Sequence, residues 1–114
     1  MPKHLKIRPA AGKWVVRAGG AVMGESAAAL ELIEGDRTPV IYFPREDMGM
    51  AFLEPSEQTT NCPHKGVATY FSIVTKSKTL ENAAWSYEAP TEDASEIKGY
   101  LAFYTGPDVT VEQL

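Results

Sequence analysis

A chain of 114 residues and 12.5 kDa is long enough for one domain with its own apolar core, without a disulfide or a metal to hold it. Apolar residues at 44% and charged residues at 23% are ordinary globular values and exclude disorder over most of the length. A formal net charge of -4 and a pI near 5.1 remove any general attraction for nucleic acid or an anionic membrane, so neither is expected as a partner.

The single cysteine, Cys62, excludes an intrachain disulfide and makes the fold independent of an oxidising compartment. The opening residues Met1 to Arg8 carry positive charge with no apolar run behind it, which is not the pattern of a signal peptide. No stretch has the length of a membrane span. Together these predict a cytoplasmic protein, monomer or homodimer.

Residues 1–11 read as an N-terminal arm, and residues 12–114 as a single mostly β domain. Trp14 to Ala18 is β-branched and aromatic, Gly19-Gly20 supplies positive φ, and Ala21 to Glu25 returns, which predicts a hairpin. Ser26 to Gly35 is ambiguous. Ser26 suits a helix cap and Gly35 a helix stop, yet Leu30 and Leu32 alternate with Glu31, which favours extended structure over Leu30 to Ile33.

Gly35 to Pro39 is a turn, Val40 to Phe43 a short strand, and Pro44 to Met48 a helical turn with proline first and acids behind it. Glu54 to Gln58 reads as a polar loop. Val67 to Val74 is the strongest strand, Thr75 to Lys78 turns it, and Thr79 to Tyr87 pairs back. Thr91 and the acids after it begin a short helix ended by Gly99, Tyr100 to Tyr104 is a strand, and Val109 to Val111 an edge strand. Six to eight short strands, in the notation of sequence alone, predict a compact, mainly β domain of antiparallel strands, tent-like or a small barrel, with one or two short helices.

Chemistry concentrates in Thr59-Thr60-Asn61-Cys62-Pro63-His64-Lys65-Gly66. Three readings of it stand. As an enzyme, Cys62 is the nucleophile, with His64 as base or Lys65 as the charge that lowers the thiol pKa. As a binding module, Arg45, Thr60, Asn61, Lys65, Asn82, Trp85 and Tyr87 line a cleft formed by the segments Tyr42 to Asp47, Thr59 to Gly66 and Asn82 to Tyr87. Its ligand is small and polar or anionic, with Tyr42, Tyr100 and Tyr104 as further candidate walls. As a structural or protein-interaction module, the same residues merely secure turns. Structural zinc needs about four ligands, and Cys62, His64 and the distant His4 fall short, so no metal site is expected; no particular cofactor is indicated.

Four blocks in order, Tyr42 to Asp47, Thr59 to Gly66, Glu81 to Tyr87 and Gly99 to Tyr104, resemble the domain of unknown function family 427 across roughly residues 12–112. The resemblance implies a small, mostly β fold, similar to the folded-sheet tent class that also contains small zinc-binding exchange factors. It further implies a family found mainly in bacteria and fungi. The label nucleotidyltransferase that this family sometimes carries requires metal-holding carboxylates and a glycine-serine loop for a triphosphate. Neither pattern is present, and Glu46-Asp47 is the only acid pair beside a basic residue.

Overall fold

The computed structural model describes residues 5–114; His4 and the rest of residues 1–4 lie outside the described residues. Among the described residues there are ten strands: β1 Leu5–Pro9, β2 Trp14–Ala18, β3 Ala21–Ser26, β4 Leu30–Glu34, β5 Val40–Tyr42, β6 Leu53–Cys62, β7 Gly66–Val74, β8 Thr79–Tyr87, β9 Leu101–Phe103 and β10 Val109–Gln113. They form three antiparallel sheets, ordered β1-β4-β5, β10-β2-β3 and β6-β7-β8-β9. The sheets stay open, so the barrel alternative is not realised. Helix is confined to short 3-10 segments at Arg45–Asp47, Met50–Phe52 and Glu92–Ile97.

The four-stranded sheet is the middle layer because its strands are apolar on both faces. Side chains alternate along a strand, so Phe71, Ile73, Ala84, Leu101 and Phe103 face one core, shared with Val16, Ala18, Met23 and Val109 of the β10-β2-β3 sheet. Ala68, Tyr70, Tyr87 and Ala102 face a second core, shared with Leu32 and Tyr42 of the β1-β4-β5 sheet and with Ala94 and Ile97. Phe43 joins the layers. Its N–H donates to the Leu101 carbonyl at 2.7 Å and its carbonyl accepts from Leu101 N–H at 2.8 Å, while its ring meets Phe103 edge-on.

The Trp14 to Glu25 hairpin forms as expected, β4 is extended, and Arg45–Asp47 makes the predicted helical turn. Two expectations differ. Within the segment read as an arm, Leu5–Pro9 is a strand paired with β4, its half-buried Leu5 and Ile7 alternating with exposed Lys6 and Arg8. The polar stretch Glu54 to Gln58 is not a loop but part of β6, an edge strand. Its side chains are polar because most of them face water, and Pro55 is accommodated at an edge where the register also shifts before Thr59.

A second irregularity falls between Phe71 and Ile73, where Asn82 takes φ 53° and bulges β8. Gly24 in β3 allows a close crossing, since a Cβ there would run into the Asp47 carbonyl oxygen. The contact is pinned by Ser26, whose hydroxyl donates to Asp47 Oδ2 at 2.7 Å and accepts from Ala28 N–H at 2.9 Å.

Ser86 is fully buried on the β8 face that carries Ala84, and its hydroxyl has no hydrogen-bond partner among the described residues. Burying an unmatched hydroxyl costs about 1–3 kcal/mol, so Ser86→Ala is expected to raise the melting temperature by roughly 4 °C or more, readable by calorimetry. A lower melting temperature in that variant would show that the hydroxyl is satisfied after all.

Candidate functional site

The β1-β4-β5 sheet and the middle sheet part at one end of the second core and leave a cavity of about 200 Å³. Leu32, Glu34, Arg37, Thr38, Val40 and Tyr42 line one side; Lys65, Tyr70, Trp85, Tyr87 and Tyr104 line the other. Lys65 reaches it from the turn between β6 and β7, where its N–H donates to the Cys62 carbonyl at 3.2 Å. Its Nζ donates to Glu34 Oε1 at 2.8 Å and lies 5.8 Å from the centre of the Tyr87 ring. Both side chains of this ion pair are largely sheltered, at 12% and 14% exposure, and the Lys65 hydrogen bond holds the Glu34 carboxyl below its ordinary pKa.

Aromatic rings make the walls. Trp85 stands edge-on to Tyr42 at 6.4 Å and tilts against Tyr104 at 4.5 Å, while Tyr70 and Tyr104 stack at 6.4 Å. The Thr60 and Tyr70 hydroxyls are 3.0 Å apart, and those of Tyr70 and Tyr104 3.3 Å apart, so these three form a chain. Tyr42 Oη accepts from Trp85 Nε1 at 3.3 Å. Burial pushes the Tyr42 phenol up to about 12 and raises Tyr87 further, and the hydrogen bond with Tyr70 raises Tyr104 to about 12. The Tyr42, Tyr87 and Tyr104 phenols are therefore neutral O–H groups at physiological pH, not bases.

Two of these donors are unspent. The Tyr87 hydroxyl makes no hydrogen bond among the described residues although the residue is only 5% exposed, and the Tyr42 O–H proton has no acceptor among them. Arg37 is exposed: its backbone N–H donates to the Glu34 carbonyl at 3.0 Å, and its guanidinium makes no close ion pair among the described residues but acts on Glu34 through its field, lowering that carboxyl's pKa. Two phenols and a guanidinium thus offer donors to the cavity without an acceptor to match.

The structure gathers Lys65, Trp85 and Tyr87 here, with Tyr42, and sets the other sequence candidates apart. Arg45 is a tie: its Nε donates to the Gly99 carbonyl at 2.7 Å, its Nη2 pairs with Glu88, and its guanidinium covers the Phe71 ring at 5.2 Å. Thr60 touches the site only through Tyr70, and Asn61 is exposed on β6 opposite Val67. Asn82 sits in the bulge, accepting from the Ser56 hydroxyl while its N–H donates to Ser72 Oγ at 3.1 Å, and it lines a separate hollow beside Pro107 and Asp108.

Cys62 packs half-buried against the second core, whereas His64 is exposed and lines an outer hollow with Glu34, Gly35, Asp36 and Arg37. Of the acid pair, Asp47 is bonded to Ser26. No group of three or more His, Cys, Asp or Glu side chains that could hold a metal ion occurs among the described residues.

Compared with known proteins, residues 6–113 match the profile of a domain of unknown function, DUF427. The chain belongs to that family. No curated protein gives a significant match to it. Within this DUF427 domain no described helix is long and apolar enough to cross a membrane.

Sequence reasoning missed Glu34, Arg37, Thr38 and Tyr70 as site residues. The first three were read as a strand end and a turn, and Tyr70 as one face of a strand. Nothing local marks Glu34, because its partner Lys65 is brought to it by the meeting of two sheets. The signal that was available is Trp85 with Tyr87 on the same strand face two residues on, since aromatics with polar tips suit a wall that is half core and half pocket.

Proposed function

We propose that the domain is a cytoplasmic binding module for a small ligand carrying a carboxylate or a similar anionic acceptor. The supporting observation is a cavity lined by two cations, Lys65 and Arg37, against one carboxylate, Glu34, which Lys65 bonds directly, together with the Tyr42 and Tyr87 hydroxyls, whose protons have no acceptor among the described residues. Arg37 can take a carboxylate in a forked pair of hydrogen bonds, and the Tyr42 and Tyr87 hydroxyls can each donate one more. Asp36 lines only the outer hollow and leaves the inner charge balance to Arg37.

At about 200 Å³ the cavity lies below the usual range for drug-sized ligands, which points to a compact, flat molecule that stacks among Tyr42, Trp85 and Tyr104. High phenol pKa values and the placement of Cys62 and His64 in different surroundings favour binding over acid-base chemistry.

Benzoate tests this reading. The chain has two tryptophans, so Trp14→Phe leaves Trp85 as the sole reporter. Benzoate is expected to change its emission saturably and to raise the melting temperature. Tyr87→Phe, which removes only the hydroxyl, should weaken binding by about 2- to 10-fold, the value of one hydrogen bond, and Arg37→Ala should weaken it more. A linear, unsaturated response to benzoate that is identical in all variants would sink the proposal.

A further inference from the structure

The small cavity does not end at Trp85. A second hollow, of about 570 Å³, lies where all three sheets meet and is lined by Trp14, Glu31, Thr38, Pro39, Val40, Ile41, Trp85, Phe103, Tyr104, Thr105 and Val111. It shares Thr38, Val40, Trp85 and Tyr104 with the first, so the two hollows adjoin across a wall that contains the Trp85–Tyr104 pair. On the opposite side, the charged outer hollow shares Glu34 and Arg37 with the first cavity. Polarity therefore runs in one direction across the three hollows: charged residues at the outer end, phenols in the middle, and mostly apolar side chains at the far end.

Besides Glu31, the two threonines and the Tyr104 hydroxyl, which is taken up with Tyr70, the side chains of the far hollow are apolar or aromatic. Glu31 is itself paired with Arg8 at 2.8 Å. An apolar groove that opens directly off a donor-lined cavity is matched by a single molecule with two chemically distinct ends. Resting on the carboxylate reading above, we infer that the ligand is amphipathic: a flat anionic head between Arg37 and Trp85, extended by an apolar tail that passes the Trp85–Tyr104 pair. The tail lies against Ile41, Phe103 and Val111.

The test is a series of benzoate, 4-ethylbenzoate, 4-butylbenzoate and 4-hexylbenzoate, titrated calorimetrically into the full chain. A methylene removed from water contributes enough that affinity should climb about two- to four-fold per added carbon. Two variants place a carboxylate in the far hollow, Val111→Glu on a half-buried position and Pro39→Glu on an exposed one that the fold tolerates more readily. Both should flatten the climb while leaving benzoate affinity within about two-fold.

Equal affinity across the series overturns the amphipathic inference and leaves the carboxylate reading intact. A climb that survives in both variants also overturns it, since the tail then lies elsewhere. If benzoate itself fails to bind, the underlying reading fails first, and a 4-hexylbenzoate signal insensitive to Arg37→Ala would count as nonspecific uptake against both.

Discussion

Replacing Lys65 with methionine is expected to cost about 2–4 kcal/mol of stability, at the lower end of what breaking a buried ion pair costs because both partners keep a little solvent contact. The loss comes chiefly from Glu34, left beside the aromatic wall without its hydrogen-bonded cation and with only the weaker pull of Arg37 and His64. Removing both charges in Lys65→Met/Glu34→Leu should therefore recover most of it, which a double-mutant cycle in urea would measure. Acid provides the complementary test. The Glu34 carboxyl is held below its reference value of 4.5, so the pair's contribution is present above that pH and is lost as pH falls through the lowered folded value. The gap between wild type and Lys65→Met should narrow as the pH drops below 4.5. A gap that is constant with pH would mean that Lys65 acts through packing over Tyr87 and not through its charge.

Phe43→Ala is the most destabilising single change expected, at about 3–5 kcal/mol, for a fully buried ring whose removal opens a cavity at the junction of two sheets. Against a total of about 5–15 kcal/mol for a typical domain, that leaves little margin, and the melting temperature should fall by roughly 12–25 °C. Phe43→Leu keeps the volume and the reciprocal backbone bonds to Leu101, so about 1.5 kcal/mol or less is expected. Small losses in both variants would place the strength of the junction in the backbone bridge, which both keep, and not in the ring.

What could be read before folding, and what could not, divides by the distance over which information acts. The hairpin at Gly19-Gly20 was legible because its cause is local: two residues free to take positive φ between β-branched strands. The alternation of Phe71 and Ile73 against Tyr70 was legible too, since a strand's period is two. β6 was not, because an edge strand that faces water has the composition of a loop, and only its pairing with β7 distinguishes them. The reading of β1 as an arm fails in the same way, with its register set by β4.

The site follows the same division. Tyr42, Lys65, Trp85 and Tyr87 were picked out by residue type, and three sheet-separated segments do supply them. Arg45 looked like a binding cation on the same grounds, but Gly99 and Glu88 consume its donors. Arg37, with equal charge and less surrounding pattern, has no hydrogen bond or close ion pair from its guanidinium among the described residues and acts on Glu34 only through its field.

The strand order β10-β2-β3 also bears on how the molecule comes into being. Trp14 pairs with Gln113 and Ala18 with Val109, so β2 acquires its second neighbour only once β10, far along the chain, has been made. The hairpin can form early, but the sheet it belongs to cannot, and contacts closed across so much chain are slow ones. Until then Val16, Ala18 and Met23 have an incomplete apolar face. Until β10 pairs, that face is open to premature association, and the docking of this one strand closes it.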